Sequence, residues 1–279
     1  MVFYLDYGKL YICPTPIGNL EDITLRTLRI LGEVDIIAAE DTRHSIRLLN
    51  HYEIKKPLTS YHEHNIREKG SELIQRLLDG KNIALISDAG MPGISDPGED
   101  LIKLAIDEGI QVICLPGPTA SITALVVSGL TTDKFVFEGF LPSKKKDRVG
   151  ALKTLVDEKR TIIFYESPHR VLNSLEDMLN TLGNREIAIG RELTKHYEEI
   201  FRGNFETAIR RFSEDQVKGE FVIIVDGNKE VIVIDEVDIE QELIKHIESG
   251  LSKKEAIQKI VEEKKVPKNI VYKESLKLQ

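Results

Sequence analysis

Short apolar runs alternate along this chain with stretches whose apolar residues recur every three or four positions. Leu10–Cys13, Asp35–Ala39, Ile83–Ser87 and Gln111–Leu115 are β-rich runs bounded by turn formers, which predicts buried strands. Between them, Leu73, Ile74, Leu77 and Leu78 keep helical spacing, as do Leu101, Leu104 and Ala105. Strand–helix alternation predicts right-handed crossovers and a mostly parallel sheet. Sheets of that kind bind ligands at the carboxyl ends of their strands.

A break falls at Pro116–Thr119, where prolines flank a glycine ahead of an apolar segment. The alternation then repeats, with Thr161–Tyr165, Glu186–Gly190 and Glu220–Val225 as predicted strands. Val171, Leu172, Leu175, Met178, Leu179 and Leu182 form a helical stripe that reads as core. After Asp226-Gly227-Asn228 come a charged stretch and three short helical patterns. Ser252 and Glu255 have capping-box spacing, and Pro267 suits a first helical turn. The expected organisation is an α/β domain over 1–118, a second over 119–228, and a small basic helical module over 229–279.

Composition narrows the class. Hydrophobic residues make up 41% of 279, enough for sizeable cores. No apolar run approaches the roughly 20 residues that span a bilayer. The first residues lack a basic segment followed by an apolar one, so no secretory leader is expected. Cys13 and Cys114 lie in apolar runs and read as two reduced core thiols. Together these point to the cytoplasm. The net charge of −8 argues against a protein that coats polyanions indiscriminately. The charge is uneven, however. Residues 251–279 hold eight lysines and four glutamates, a net of +4, which leaves −12 for the rest. Lys144, Lys145, Lys146 and Arg148 form a second basic run. Nucleic acid contact of a local kind is compatible with this, and so are plain solvated faces.

Three loops at strand ends carry the candidate chemistry. Pro14-Thr15-Pro16-Ile17-Gly18-Asn19 follows the first strand. Two prolines remove two backbone donors, so this is neither a dinucleotide fingerprint nor a P-loop. A rigid turn beside a ligand without phosphates suits it, and a purely structural turn fits too. In Ser87–Gly98, small residues let a ligand lie against backbone, and Asp88 has the charge sense for a cationic group. Ser95 or Asp96 reads as a cap for the next helix, with Pro97 at its first position. The third loop, Pro116–Thr123, feeds a helix N-terminus, where free N–H groups hold carboxylates.

PTPIGNLEDIT, AEDTRHS, SYHEHN, SDAGMPGISDPG, LPGPTASITAL, FEGFLP, FYESPHR and RELTK occur in this order. The set resembles the ribosomal RNA small-subunit methyltransferase I family of the tetrapyrrole methylase superfamily. The resemblance is dense over 9–227 and extends into the tail. It implies two α/β domains of the tetrapyrrole-methylase type with the cofactor cleft between them, plus the helical module. It also implies a homodimer and 2′-O-methylation of a cytidine ribose in the decoding region of 16S rRNA, with S-adenosylmethionine as cofactor. Naked rRNA and the assembled small subunit are both open as substrate, with no membrane or DNA partner. Members acting on tetrapyrroles carry a glycine-rich first loop, and PTPIGN departs from it.

Carried onto matching positions, the cofactor residues are Thr15, Pro16, Ser87, Asp88, Ala89, Gly90, Gly93, Ser121 and Ile122. Tyr165, Leu193, Glu220 and Val222 are their counterparts in the second domain. A ribose hydroxyl is a poor nucleophile, so a proton acceptor is sought among side chains near the loops. Asp41, Glu63 and Asp88 are the catalytic candidates, with Glu40, His62 and His64 beside them. Arg43 suits a bidentate phosphate contact, although Asp41 or Thr42 also suits a helix cap. His62, His64, Asn65, Lys144, Lys145, His169 and Arg170 complete the substrate-binding candidates. An extended His62-x-His64 would put both imidazoles on one face, but no third ligand is evident, so no metal is expected. Ser167 reads as a cap before Pro168. A methylase acting on a tetrapyrrole-like molecule and a non-catalytic RNA-binding relative are the alternatives.

Overall fold

The apolar runs become strands of two separate sheets in a computed structural model, which describes residues 7–213, 218–229, 236–264 and 268–278. The first sheet contains Leu10–Ile12 (β1), Ile36–Ala39 (β2), Leu58–Ser60 (β3), Ile83–Ile86 (β4) and Val112–Cys114 (β5). Its order is β3-β2-β4-β1-β5, and every pairing is parallel. Alternate residues of β2 serve opposite faces, as the pleat requires. Ile36 and Ala38 pack with the helices Ile66–Leu78 (α3) and Glu99–Asp107 (α4). Ile37 and Ala39 pack with Leu25–Glu33 (α1) and Thr42–His51 (α2). Both faces are therefore covered, which is why these strands read as unbroken apolar runs. Parallel pairing also sends every carboxyl end to one edge, where the candidate loops gather.

The second sheet contains Phe135–Phe140 (β6), Thr161–Glu166 (β7), Glu186–Arg191 (β8), Glu199–Asn204 (β9) and Phe221–Val225 (β10), in the order β6-β7-β10-β8-β9. It departs from the expected parallel alternation. β10 runs antiparallel to both β7 and β8, β8 is antiparallel to β9, and only β6 and β7 are parallel. The central strand is buried on both faces in either case, so its apolar run carries no sign of direction. Ala120–Ser128 (α5) buries Ala124 and Leu125 against Ile163, Ala188, Val222 and Ile224. Lys145–Lys153 (α6), Val171–Leu182 (α7) and Phe205–Ser213 (α8) cover the other face around Phe164, Leu175, Met178 and Phe212.

Residues 1–228 form one compact unit and 229–279 another. In the second, Glu236–Glu248 (α9), Lys253–Lys264 (α10) and Lys268–Ser275 (α11) enclose Ile239, Leu243, Ala256, Ile257, Ile260 and Val271. The capping box forms: Ser252 N donates to Glu255 Oε2 at 2.9 Å, and Glu255 N donates back to Ser252 Oγ at 3.3 Å. Pro267 lies outside the described residues. Among the described residues, no helix is long and apolar enough to cross a membrane.

The cysteine reading holds for one thiol of two. Cys13 is fully buried, and burial, with Cys114 nearby, pushes its pKa up to about 12. Cys114 is exposed, because β5 is an edge strand and is open on one side.

Candidate functional site

The one backbone donor between the two prolines of the first loop is used. Between the two prolines, Thr15 N donates to Gly90 O at 2.9 Å, and Gly90 N donates to Thr15 O at 3.1 Å. Thr15 Oγ1 donates to Ser87 O at 3.2 Å, and both side chains are buried. Gly90 has φ +81°, a conformation that favours glycine. These bonds fasten the loop after β1 to the loop after β4. Ile17 then leaves the first half of the unit and buries beside Leu125, Leu193 and Val222. At Gly18 the chain crosses the Arg191–Lys195 turn so closely that a Cβ would meet Lys195 Cγ at 2.5 Å and Leu193 O at 2.8 Å. Asn19 N donates to Thr194 Oγ1 at 3.0 Å, a second tie between the two sheets' loops.

The second sheet supplies the facing wall. Tyr165 is in register with Val222, and Glu166 with Phe221, on neighbouring strands β7 and β10. Phe137 and Phe140 meet the Tyr165 ring edge-on, with centroids 5.0 and 5.5 Å away. Tyr165 Oη accepts from Ser121 N at 3.2 Å, which ties α5 to the wall. Between the loops and this wall lies a cavity of about 250 Å³. Ile17, Met91, Ile94, Phe140 and Val222 give it apolar surface, and Ala89, Gly90, Thr119 and Ala120 give it backbone. Its charged lining is Asp96, Glu166 and Glu220, with neither lysine nor arginine among the described lining residues.

Of the expected cofactor residues, Ala89, Gly90, Tyr165, Glu220 and Val222 line the cavity. Thr15, Pro16, Ser87, Ser121 and Leu193 are buried and are not among its lining residues. Asp88 and Gly93 lie outside the lining, and Ile122 turns outward at 44% exposure. Ser95 and Asp96 do not cap α4. The N-cap is Gly98, at φ +145° and without a side-chain bond, and Ser95 has φ +61°. Asp96 instead lines the cavity. Burial raises its pKa to about 7, helped by the charges of Glu40, Asp88 and Glu220 and opposed by the Ser87 hydroxyl. Glu40 is shifted upward as well, by burial first and by Asp88 second.

The three catalytic candidates stand differently. Asp41 caps α2, accepting from Arg43 N at 2.8 Å, and the Arg43 guanidinium grips it at 3.1 and 2.7 Å. Those bonds hold its carboxyl well below the usual range, which makes it a poor proton acceptor. Asp88 Oδ1 accepts from Asp41 N at 3.1 Å and so joins two loops. Glu63 is exposed and is not part of the cavity lining.

Among the substrate candidates, Arg43 stays 88% exposed beside Asp41. His62 and His64 sit in a turn rather than an extended segment, yet their ring centroids are 6.0 Å apart. Asn65 organises that turn, accepting from His62 N at 2.9 Å and donating to Ser60 O at 3.2 Å. Among the described residues no group of three or more His, Cys, Asp or Glu could hold a metal. Lys144 and His169 are exposed, while Lys145 reaches Asp177 at 3.6 Å. Arg170 turns inward, pairing with buried Glu166 at 3.3 Å and donating to Leu141 O. Arg148 of the basic run is buried against Asp177, so it presents no charge to a polyanion. Ser167 is not a side-chain cap either, since α7 begins after Arg170.

Two sheets joined through loops, with a ligand-sized cavity at the join, can be compared with known proteins. Residues 9–209 match the model of the Tetrapyrrole (Corrin/Porphyrin) Methylases. The chain belongs to this family. Within it, the chain groups with the ribosomal RNA small subunit methyltransferase I proteins. That of Halalkalibacterium halodurans is 52% identical, over 96% of this chain and 94% of its own length. That of Synechocystis sp. is 46% identical, over 98% and 99%. A cobalt precorrin-4 methyltransferase shares the fold with a TM-score of 0.58 at 17% identity, covering 78% of this chain and 94% of that one. Diphthine synthase does so with a TM-score of 0.59 at 13% identity, over 79% and 90%.

Sequence reasoning gives no site role to several lining residues of this methylase: Ile17, Ile94, Asp96 and Phe140. Phe140 stands in the FEGFLP motif and Ile17 in PTPIGN, so motif membership was the available signal. For Asp96 the signal pointed elsewhere, because Asp before Pro is an ordinary helix-start pattern.

Proposed function

We propose that this methylase transfers a methyl group from S-adenosylmethionine to the 2′-hydroxyl of a cytidine ribose in the decoding region of 16S rRNA. The observation that carries the reading is the near-full-length likeness to the ribosomal RNA small subunit methyltransferase I proteins. A tetrapyrrole substrate is less favoured, because the solved tetrapyrrole methylases share the fold at far lower identity.

The cavity's chemistry fits the cofactor. S-adenosylmethionine carries a sulfonium, an ammonium and an adenine ring, with no phosphate. Apolar walls from Ile17, Met91, Ile94, Phe140 and Val222 suit a flat ring, and the carboxylate of Glu220 suits a cationic group. A lining without lysine or arginine leaves a phosphate unpaired. When bound, the cofactor supplies an activated methyl group. The chain's part is to fix positions and charge. Thr15, Ser87 and Gly90 lock the loops, and Tyr165 braces the start of α5. Arg43, His64, Lys144 and His169 are exposed and support contacts to rRNA phosphates.

The same reading puts the enzyme in the cytoplasm as a homodimer acting on rRNA or the small subunit. Exposed Ile122 and Val126, four residues apart on α5, support an apolar contact between copies. Titration calorimetry with S-adenosylmethionine tests the cofactor claim. A single site with Kd between about 1 μM and 1 mM is expected, with a ligand-dependent rise in Tm. Absence of binding at millimolar cofactor would favour a non-catalytic RNA-binding relative.

A further inference from the structure

We propose that Asp96 is the catalytic residue that takes the proton from the substrate hydroxyl, an assignment that rests on the methyltransferase reading. Asp96 is part of the cavity lining and does not cap the helix it precedes in sequence. The backbone holds it there under constraint. Ser95, just before it, is left-handed at φ +61°, and Gly98, two residues on, has φ +145° with a would-be Cβ 2.9 Å from Leu85 Cδ2. Ser95 in turn packs on the bulge of β6, where a Cβ on Gly139 would lie 3.1 Å from its Oγ. Non-glycine residues in this conformation persist where the surroundings over-determine them, and such positions cluster at active sites.

The other carboxylates of the cavity lining are already engaged. Glu166 accepts from Ser167 N at 2.9 Å and from Ser174 Oγ at 2.5 Å, and pairs with Arg170. Glu220 pairs with Lys195 at 2.8 Å. Asp88 accepts from Asp41 N, and Asp41 is held by Arg43. Among the described residues no ion pair engages Asp96, and the charged groups that act on it most strongly are carboxylates. Burial first, and then the charges of Glu40, Asp88 and Glu220, raise its proton affinity, with the Ser87 hydroxyl in opposition. A proton acceptor works best when its pKa lies near the working pH. Asp96 takes the hydroxyl proton as the oxygen–methyl bond forms and the methyl–sulfur bond breaks, its electron pair staying on sulfur. The proton then passes from Asp96 to solvent.

Asp96→Asn and Asp96→Glu test this, read by single-turnover rate, cofactor calorimetry and Tm. D96N is expected to lose about 10²- to 10⁴-fold in rate at saturating cofactor. Its affinity for S-adenosylmethionine should stay within a few-fold of wild type, and D96E should recover part of the rate. The wild-type rate should fall below about pH 7 as Asp96 protonates, an inflection that D96N lacks. Carboxyl ¹³C NMR of the ligand-free protein, with D96N assigning the resonance, should show the same midpoint. A folded pKa above the unfolded value means that stability is lost as pH rises through the interval between them. D96N therefore should not melt below wild type at pH 8, whereas a merely structural Asp96 would make it do so. An unchanged rate in D96N, or lost cofactor affinity with an unchanged saturated rate, would overturn the assignment. If the wild-type protein itself binds no cofactor, the methyltransferase reading fails and takes this assignment with it.

Discussion

Asp177→Ala is expected to destabilise the protein by about 3–5 kcal/mol, because it strands a buried charge. Arg148 donates through Nε to Asp177 Oδ2 at 2.8 Å, and its Nη2 lies 2.7 Å from the same oxygen. The two side chains are only 7% and 6% exposed. Arg148 also donates to Ser143 O at 3.0 Å, so it anchors the segment that leaves β6. Without Asp177 the guanidinium has carbonyls but no counter-charge. Lys145 does not compensate, since it is a second cation. The double variant R148M/D177L replaces the pair by apolar groups and should recover most of the loss. Urea denaturation of wild type, D177A and the double variant measures this. A D177A loss below about 1 kcal/mol would mean that the pair is effectively solvated.

Ile17→Ala should cost about 2–5 kcal/mol and also weaken the cofactor. Ile17 is 8% exposed and is packed with Leu125, Ile163, Leu193 and Val222, although it comes from the loop after β1. It also lines the cavity. The truncation therefore leaves a void in the join between the two sheets and removes part of the ligand's apolar wall. Cofactor Kd should rise about tenfold, equivalent to roughly 1.4 kcal/mol of lost contact. Denaturation and calorimetry on the same variant separate the two effects. A stability loss without any change in Kd would place the Ile17 side chain outside the cofactor's contacts.

The central strands were legible because burial on both faces leaves an apolar run. Ile36–Ala39, Ile83–Ile86 and Phe221–Val225 are such cases. Three of the four edge strands were not, β5 being the exception. β3 is a half-buried Leu-Thr-Ser, and β6 and β9 carry charged or exposed residues such as Glu138 and Arg202. An edge strand buries too little surface to impose a pattern. Strand direction in the second sheet was hidden for the complementary reason, since a doubly buried strand looks alike in either sense. In the site, the loops were legible through their prolines and glycines, and five of the expected contacts line the cavity. The role of Asp96 was not, because its environment is made by burial and by Glu40 and Glu220, which lie far from it in the chain. Local pattern explains Arg43 beside Asp41, two residues apart, but not Arg148 against Asp177, which are 29 apart.

The measurement that tests the central claim most directly is methyl transfer from radiolabelled S-adenosylmethionine to purified 30S subunits, 16S rRNA and uroporphyrinogen in parallel. Label is expected in the ribosomal RNA, at one cytidine whose 3′ linkage resists alkaline cleavage. Label in the tetrapyrrole alone would contradict it: the fold and the cofactor cavity would stand, and the substrate would be wrong.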